Sequence, residues 1–198
     1  MFKRALGHLV LKLSGWKISG SLPSQDKYVL IAAPHTSNWD LVYMLAIAFV
    51  LDMRINWMGK DSLFKPPFGF FLLWLGGVPI DRSKTNNVVQ AMADEFTKRE
   101  RLILAVPPAG TRGRREYWKS GFYHIAKSAG VPIVLGYLDY ATKTGGFGGH
   151  LTPGDDIAAD MDTLRAFYGQ QHGKFPDKVS RVRLRDEGGA EPSTDGHA

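Results

Sequence analysis

Three groups of side chains along this 198-residue chain could carry chemistry. The first is His35 with Asp40 five residues later, in Ala33-Pro34-His35-Thr36-Ser37-Asn38-Trp39-Asp40. Histidine titrates near neutral pH and can take up a proton during a reaction. A neighbouring carboxylate can fix its tautomer and stabilise its charged form. The same spacing also fits a surface histidine followed by an aspartate that merely complements a helix N-terminus. The second group is Arg82, and the third is Gly110-Thr111-Arg112. Both arginines offer a planar fork of donors that suits a phosphate. With no cysteine in the chain, disulfides, thiolate metal sites and cysteine nucleophiles are excluded. The histidines His8, His35, His124, His150, His172 and His197 are scattered without a ligand pair at i, i+4, so no metal site is expected. His124 reads as a packing histidine.

Each group sits where a strand should end. Tyr28–Ala32 is a β-type run that leads into Pro34, which forces an extended entry. Ser37 or Asn38 can cap the helix that follows, and Leu41–Leu51 is apolar all round, as a helix buried on most sides would be. Further strands are expected at Arg54–Met58, Val78–Arg82, Arg101–Val106 and Val131–Leu138. Helices are expected at Thr85–Arg99, at Tyr117–Ala129 with Gly130 as its stop, and at Asp155–Tyr168. Strands alternating with helices predict a single α/β domain with a largely parallel central sheet flanked by helices. In such sheets ligands bind at the carboxyl ends of strands, where His35, Arg82, Thr111 and Arg112 would all fall. The Gly-rich stretch Thr142–Gly149 lacks the lysine and spacing of a phosphate loop and reads as a turn. A last strand is expected near Lys178–Leu184. From Asp186 to Ala198 the composition is that of a disordered tail.

At the N-terminus, residues 1–22 form an amphipathic segment. Phe2, Ala5, Leu6, Leu9, Val10 and Leu13 share one helical face, while Lys3, Arg4, His8 and Lys12 fall largely on the others. Two readings are open: a helix packed on its own domain, or a helix lying in the plane of an anionic membrane surface. Trp16 suits either. The apolar cluster Leu63–Leu75 reads by default as core, with a wall of an acyl tunnel or a membrane-dipping face as alternatives. No secretory signal is evident, and the longest apolar run is far shorter than the ~20 residues that a membrane span needs.

Net charge is +6 at pH 7 and the isoelectric point is about 9.5, so anionic partners are favoured. The charge is clustered. Residues 98–119 hold seven basic side chains against Glu100 and Glu116, whereas Asp155, Asp156, Asp160 and Asp162 stand together without a basic neighbour. That pattern fits a local phosphate site better than a nucleic-acid coat, and no nucleic-acid-binding motif is present.

Taken in order, four blocks between Val29 and Leu138 resemble the glycerophospholipid acyltransferase family, which includes lysophosphatidic acid acyltransferases. Pro34–Asp40 resembles its His-x4-Asp block, and Gly77–Ser83 its second block, whose arginine is associated with the acceptor phosphate. Val106–Arg112 resembles the third, usually Pro-Glu-Gly-Thr-Arg, and Val131–Val134 the fourth. The resemblance implies an acyltransferase domain over 23–185. It implies acyl transfer from a thioester, acyl-CoA or acyl carrier protein, to a hydroxyl of a lysophospholipid-like acceptor such as 1-acylglycerol-3-phosphate, without a cofactor. His35 would be the general base and Asp40 its orienting partner, while Arg82, Gly110, Thr111 and Arg112 would bind substrate. Backbone amides near Gly110 are candidate oxyanion donors. No Gly-x-Ser-x-Gly elbow offers a covalent route. The implied location is cytoplasmic, peripheral to the inner face of a membrane. One position departs: Ala109 stands where the family usually has glutamate. That raises a second reading, an acyltransferase-like lipid-binding or regulatory protein with weakened catalysis.

Overall fold

The computed structural model describes residues 2–67, 69–74, 76–80 and 85–187. Its elements in order are α1 (Phe2–Ser14), β1 (Lys17–Ser19), β2 (Lys27–Ala33), α2 (Trp39–Val50), β3 (Ile55–Lys60), a 3₁₀ turn (Asp61–Phe64), α3 (Gly69–Trp74), β4 (Gly77–Ile80), α4 (Thr85–Lys98), β5 (Leu102–Val106), α5 (Gly121–Ala129), β6 (Ile133–Asp139), β7 (Thr144–Leu151), α6 (Ile157–Tyr168) and a second 3₁₀ turn (Pro176–Lys178). Seven strands form one sheet in the order β1-β7-β6-β2-β5-β3-β4. β6, β2, β5, β3 and β4 are mutually parallel, and β7 returns antiparallel to β6 with β1 parallel beside it. The expected α/β domain, with its largely parallel sheet and N-terminal helix, is the fold observed.

Strand periodicity of two decides which side chain meets which layer. From β2, Val29, Ile31 and Ala33 join Leu102, Leu104 and Val106 of β5 and Ile133 and Leu135 of β6 on one face. There they pack on Met92 and Phe96 of α4, Phe122 and Ile125 of α5, and Met161 and Leu164 of α6. Tyr28 and Leu30 point the other way with Ala105, Val134 and Phe147. On that side α2 lies over the sheet and α1 over α2, through Leu11, Trp16, Ala46, Ile47, Val50 and Leu138. Gly7 permits the close helix crossing: a Cβ there would stand 2.6 Å from the Ala46 carbonyl oxygen.

Two expectations are corrected. Thr142–Gly149 is mainly strand β7, not a turn. Its glycines read as breakers in the sequence, but they serve close approach. A Cβ on Gly146 would lie 1.8 Å from the Ser19 carbonyl oxygen, and one on Gly145 would lie 2.6 Å from Leu138 Cδ2. The strand expected at Lys178–Leu184 is a 3₁₀ turn followed by bent chain with one bridge, Trp118 to Leu184. The Arg183 amide turns back onto the Arg181 carbonyl oxygen at 3.0 Å, so no ladder extends. Within the tail assigned to 186–198, Glu187 is held by Arg165 at 2.6 Å, and residues from 188 onward lie outside the described set.

The described part of the apolar cluster Leu63–Leu75 lies mostly outside the core. Phe70 is 76% exposed and Trp74 63%, with Phe71, Leu73 and Leu63 also outward. On α1, Gly7 and Leu11 face α2, whereas Phe2 (81% exposed), Leu6, Leu9 and Leu13 face out. The helix thus packs on its own domain through one face and leaves an apolar face exposed. Lys3 joins the two surfaces, its ammonium 4.3 Å from the centre of the Trp74 ring. Trp16 is buried and stacked on Tyr43 at 4.4 Å.

Candidate active site

Pro34 ends β2, and His35 follows at the carboxyl edge of the sheet. The His35 ring is about a quarter exposed, while Asp40, in the first turn of α2, is buried. The Asp40 carboxylate is saturated with donors. Its Oδ2 accepts from His35 Nδ1 at 3.1 Å, from the Thr36 amide at 2.8 Å and from the Ser37 amide at 2.9 Å. Its Oδ1 accepts from the Tyr140 hydroxyl at 2.6 Å. Burial alone would raise the carboxyl pKa, but the hydrogen bonds from His35, Tyr140, Ser37 and Thr36 outweigh it and hold the group below its ordinary value. Asp40 thus stays ionised, Nδ1 of His35 is fixed as the donor, and Nε2 is the nitrogen left to act as a base. The helix start uses these groups in place of an ordinary cap. Asn38 occupies the cap position without a side-chain cap bond, and Ser37 Oγ accepts from the Trp39 amide at 3.2 Å.

Tyr140 was not foreseen as a site residue. It lies 100 positions from Asp40, just past β6, and its only sequence cue is its place after a strand end. Trp16 and Tyr43 pack against it, with Trp16 edge-on to Tyr140 at 4.9 Å, and Trp39 stacks on Tyr43 beyond. Burial and the neighbouring Asp40 carboxylate push the phenol pKa well up, so this group remains a donor across the physiological range. Replacing Tyr140 by Phe is expected to raise the Asp40 pKa and to cost about 1.5–3 kcal/mol of stability, the range for a hydrogen bond to a charged group. Carboxyl-carbon NMR titration checks this; an unmoved pKa would remove Tyr140 from the network.

Beside the pair opens a cavity of about 1220 Å³, above the ~300–1,000 Å³ typical of small-molecule sites. His35, Asp40, Gly110 and Arg112 line it together. Its depth is apolar, with Met44, Leu45, Met53, Trp57 and Phe147. Arg112 Nη1 donates to Asn38 Oδ1, which ties the β5–α5 loop to the start of α2. Gly110 sits in the left-handed region at φ 66°, a turn conformation that favours glycine. Its amide donates to the Pro107 carbonyl at 2.9 Å, so that N–H is not free for an oxyanion. Thr111 stands next to the cavity without lining it; its hydroxyl accepts from the Gly113 amide at 3.4 Å. Arg82 lies outside the described residues. His124, expected as a packing residue, is exposed and on the cavity rim. Ala109 is buried and lines a second, small crevice with His35, Trp118, Tyr168, Val179 and Val182. Among the described residues no group of three or more His, Asp or Glu side chains could hold a metal.

A family model described as Acyltransferase matches residues 16–135. The 1-acyl-sn-glycerol-3-phosphate acyltransferase of Haemophilus influenzae is 31% identical over 132 residues, 62% of this chain and 53% of that protein. The protein of that name from Salmonella typhimurium is 33% identical over 141 residues, 65% of this chain and 56% of that one. This chain thus spans about half the length of these curated relatives. The crystal structure of the 1-acyl-sn-glycerophosphate (LPA) acyltransferase PlsC from Thermotoga maritima shares the fold, with a TM-score of 0.57 and 15% identity, over 85% of this chain and 74% of that one.

Proposed function

Because the chain belongs to the acyltransferase family, we propose that it moves a fatty acyl group from an acyl thioester to a hydroxyl of a lysophospholipid-like acceptor such as 1-acylglycerol-3-phosphate. The observation that carries this reading is a buried, ionised Asp40 holding His35 at the mouth of a large apolar cavity. In the step proposed, Nε2 of His35 takes the proton of the acceptor hydroxyl while its oxygen attacks the thioester carbonyl carbon. Asp40 stabilises the imidazolium that results. Collapse of the tetrahedral adduct breaks the carbon–sulfur bond and expels a thiolate, which takes the proton from His35. Arg112, and Arg82 as the sequence blocks imply, would hold the acceptor phosphate. Met44, Leu45, Met53 and Phe147 would receive the acyl chain. The donor is an acyl-CoA or an acyl carrier protein, and no cofactor enters. Mass spectrometry of products formed from mixed acyl donors and lysolipids tests the proposal. A diacyl product from a lysolipid is expected, and failure to acylate any acceptor would overturn it.

The second reading, a lipid-binding relative with weakened catalysis, draws on Ala109. Ala109 does not line the large cavity but shares a small crevice with His35, and the His35–Asp40 hydrogen bond forms with alanine at that position. Thiol release from acyl-CoA in the presence of lysolipid favours the enzyme; tight lipid binding without release favours the alternative.

We further place the chain peripherally on an anionic membrane surface, at its cytoplasmic face. Among the described residues no helix is long and apolar enough to cross a membrane. The apolar faces of α1 and α3 instead expose Phe2, Leu6, Leu9, Leu13, Phe70 and Trp74 together. Lys3, Arg4 and Lys12 on α1 suit anionic headgroups. Changing Phe2 and Leu13 to serine leaves the Gly7–Leu11 packing face untouched. It is expected to weaken sedimentation with anionic vesicles by about tenfold or more, since each large apolar side chain withdrawn from water contributes about 1.5–3 kcal/mol. Unchanged sedimentation would exclude this face as the lipid-contacting one.

A further inference from the structure

The segment after α6 adds one cation to the cavity, Arg185, that none of the four sequence blocks contains. Ser180 Oγ accepts from the Arg115 amide at 2.9 Å, the Trp118 amide donates to the Arg183 carbonyl at 2.7 Å, and Arg165 grips Glu187 at 2.6 Å. So anchored, the alternation Arg181-Val182-Arg183-Leu184-Arg185 turns Val182 and Leu184 inward and the arginines out. Tyr117 carries two of them. The Arg183 guanidinium lies 4.5 Å and that of Arg185 5.6 Å from its ring centre, and Arg183 Nη2 donates to its hydroxyl at 3.0 Å.

Two guanidinium groups on one ring repel each other unless an anion lies nearby. Among the described residues no carboxylate stands within 4.0 Å of Arg112, Lys119, Arg183 or Arg185 in an ion pair, although Asp186 also reaches the rim. Arg185 lines the same cavity as Arg112, Lys119 and His35. We propose that Arg185, propped on Tyr117, forms with Arg112 a binding site for a phosphate monoester of a substrate at the cavity mouth. The proposal rests on the acyl-transfer reading for the identity of the substrate, and the phosphate can belong to the acceptor headgroup or to the nucleotide part of a CoA donor. A planar fork at each wall would grip the dianion from two sides.

The test uses the full chain with Arg185→Ala, Arg185→Lys and, as a charge-matched control on the same segment, Arg181→Ala, which does not line the cavity. Calorimetric titration with glycerol 3-phosphate reads binding without turnover. Arg185→Ala is expected to weaken it by about tenfold or more, as loss of a charge-assisted pair would, with Arg185→Lys intermediate and Arg181→Ala unchanged. In steady-state assays KM should rise for one substrate while kcat stays within about twofold. A rise for 1-acylglycerol-3-phosphate assigns the phosphate to the acceptor, and a rise for acyl-CoA assigns it to the donor. Unaltered affinity and unaltered KM for both overturn the proposal, as does an equal loss in Arg181→Ala, which would mean a diffuse field. If the wild-type chain transfers no acyl group, the acyl-transfer reading fails, while the calorimetric difference still decides the role of Arg185.

Discussion

Replacing His35 by alanine is expected to lower acyl transfer by about a thousandfold or more while the chain stays folded. General-base catalysis contributes roughly 10²–10⁴ to rate. Here the base has no substitute within the network: Tyr140 is held as a donor to Asp40, and His124, on the cavity rim, is not among the groups bonded to that carboxylate. Stability should change little, because the ring is partly exposed and the Thr36, Ser37 and Tyr140 donors still satisfy Asp40. The measurement is kcat with saturating donor and acceptor, paired with thermal unfolding. Turnover within tenfold of wild type would remove His35 as the base. A folded variant that still binds lysolipid would separate loss of chemistry from loss of the cavity.

Substitution of Asp40 should damage both chemistry and fold, and the two can be separated by choice of residue. Asp40→Ala leaves the Thr36 and Ser37 amides without their acceptor, both on buried residues, together with the Tyr140 hydroxyl. Unsatisfied buried polar groups cost about 1–3 kcal/mol each, so this variant is expected to lose several kcal/mol, a large part of a domain's stability. Asp40→Asn keeps one carbonyl oxygen for the two amides and loses the charge. Its stability loss should be smaller, but the imidazolium formed during the reaction would lack its counter-charge, and turnover should fall by about a hundredfold or more. The folded carboxyl has a depressed pKa, so its contribution is complete above the ordinary carboxyl value of about 3.9 and is lost as pH falls through the lower folded value. The stability gap between wild type and Asp40→Asn should therefore be widest near neutrality and close in acid. A gap that widened on acidification would contradict the arrangement, and urea midpoints between pH 3 and pH 7 decide it.

The sheet interior was readable from local pattern, because strands buried on both faces read as continuous apolar runs, and the spacing of His35 and Asp40 announced the hydrogen bond they form. Tyr28–Ala32, Leu102–Val106 and Ile133–Leu138 each declare themselves without tertiary information. The elements that misled were those whose meaning depends on distant neighbours. Gly145 and Gly146 look like a turn until Leu138 and Ser19 are placed against them. Phe70, Phe71 and Trp74 look like core because composition cannot tell a protein interior from a surface that avoids water. The alternation from Arg181 to Arg185 carries a strand's period, yet one bridge to Trp118 and the bonds from Arg115 and Arg165 shape it. Tyr140 could be recognised only once β6 lay beside β2, bringing its hydroxyl to a carboxylate 100 residues earlier.

Among the described residues both margins of the sheet are short, and this bears on how the chain behaves at high concentration. β1 has three residues, and β4 has four with Pro79 among them, which cannot donate to another strand. A long, flat margin would template pairing with a second copy and lead toward fibrils; these margins offer little to template. Self-association of this chain, where it happens, should therefore run through the greasy side chains of α1 and α3. It should take the form of reversible clustering that detergent disperses, not of growing cross-strand aggregates.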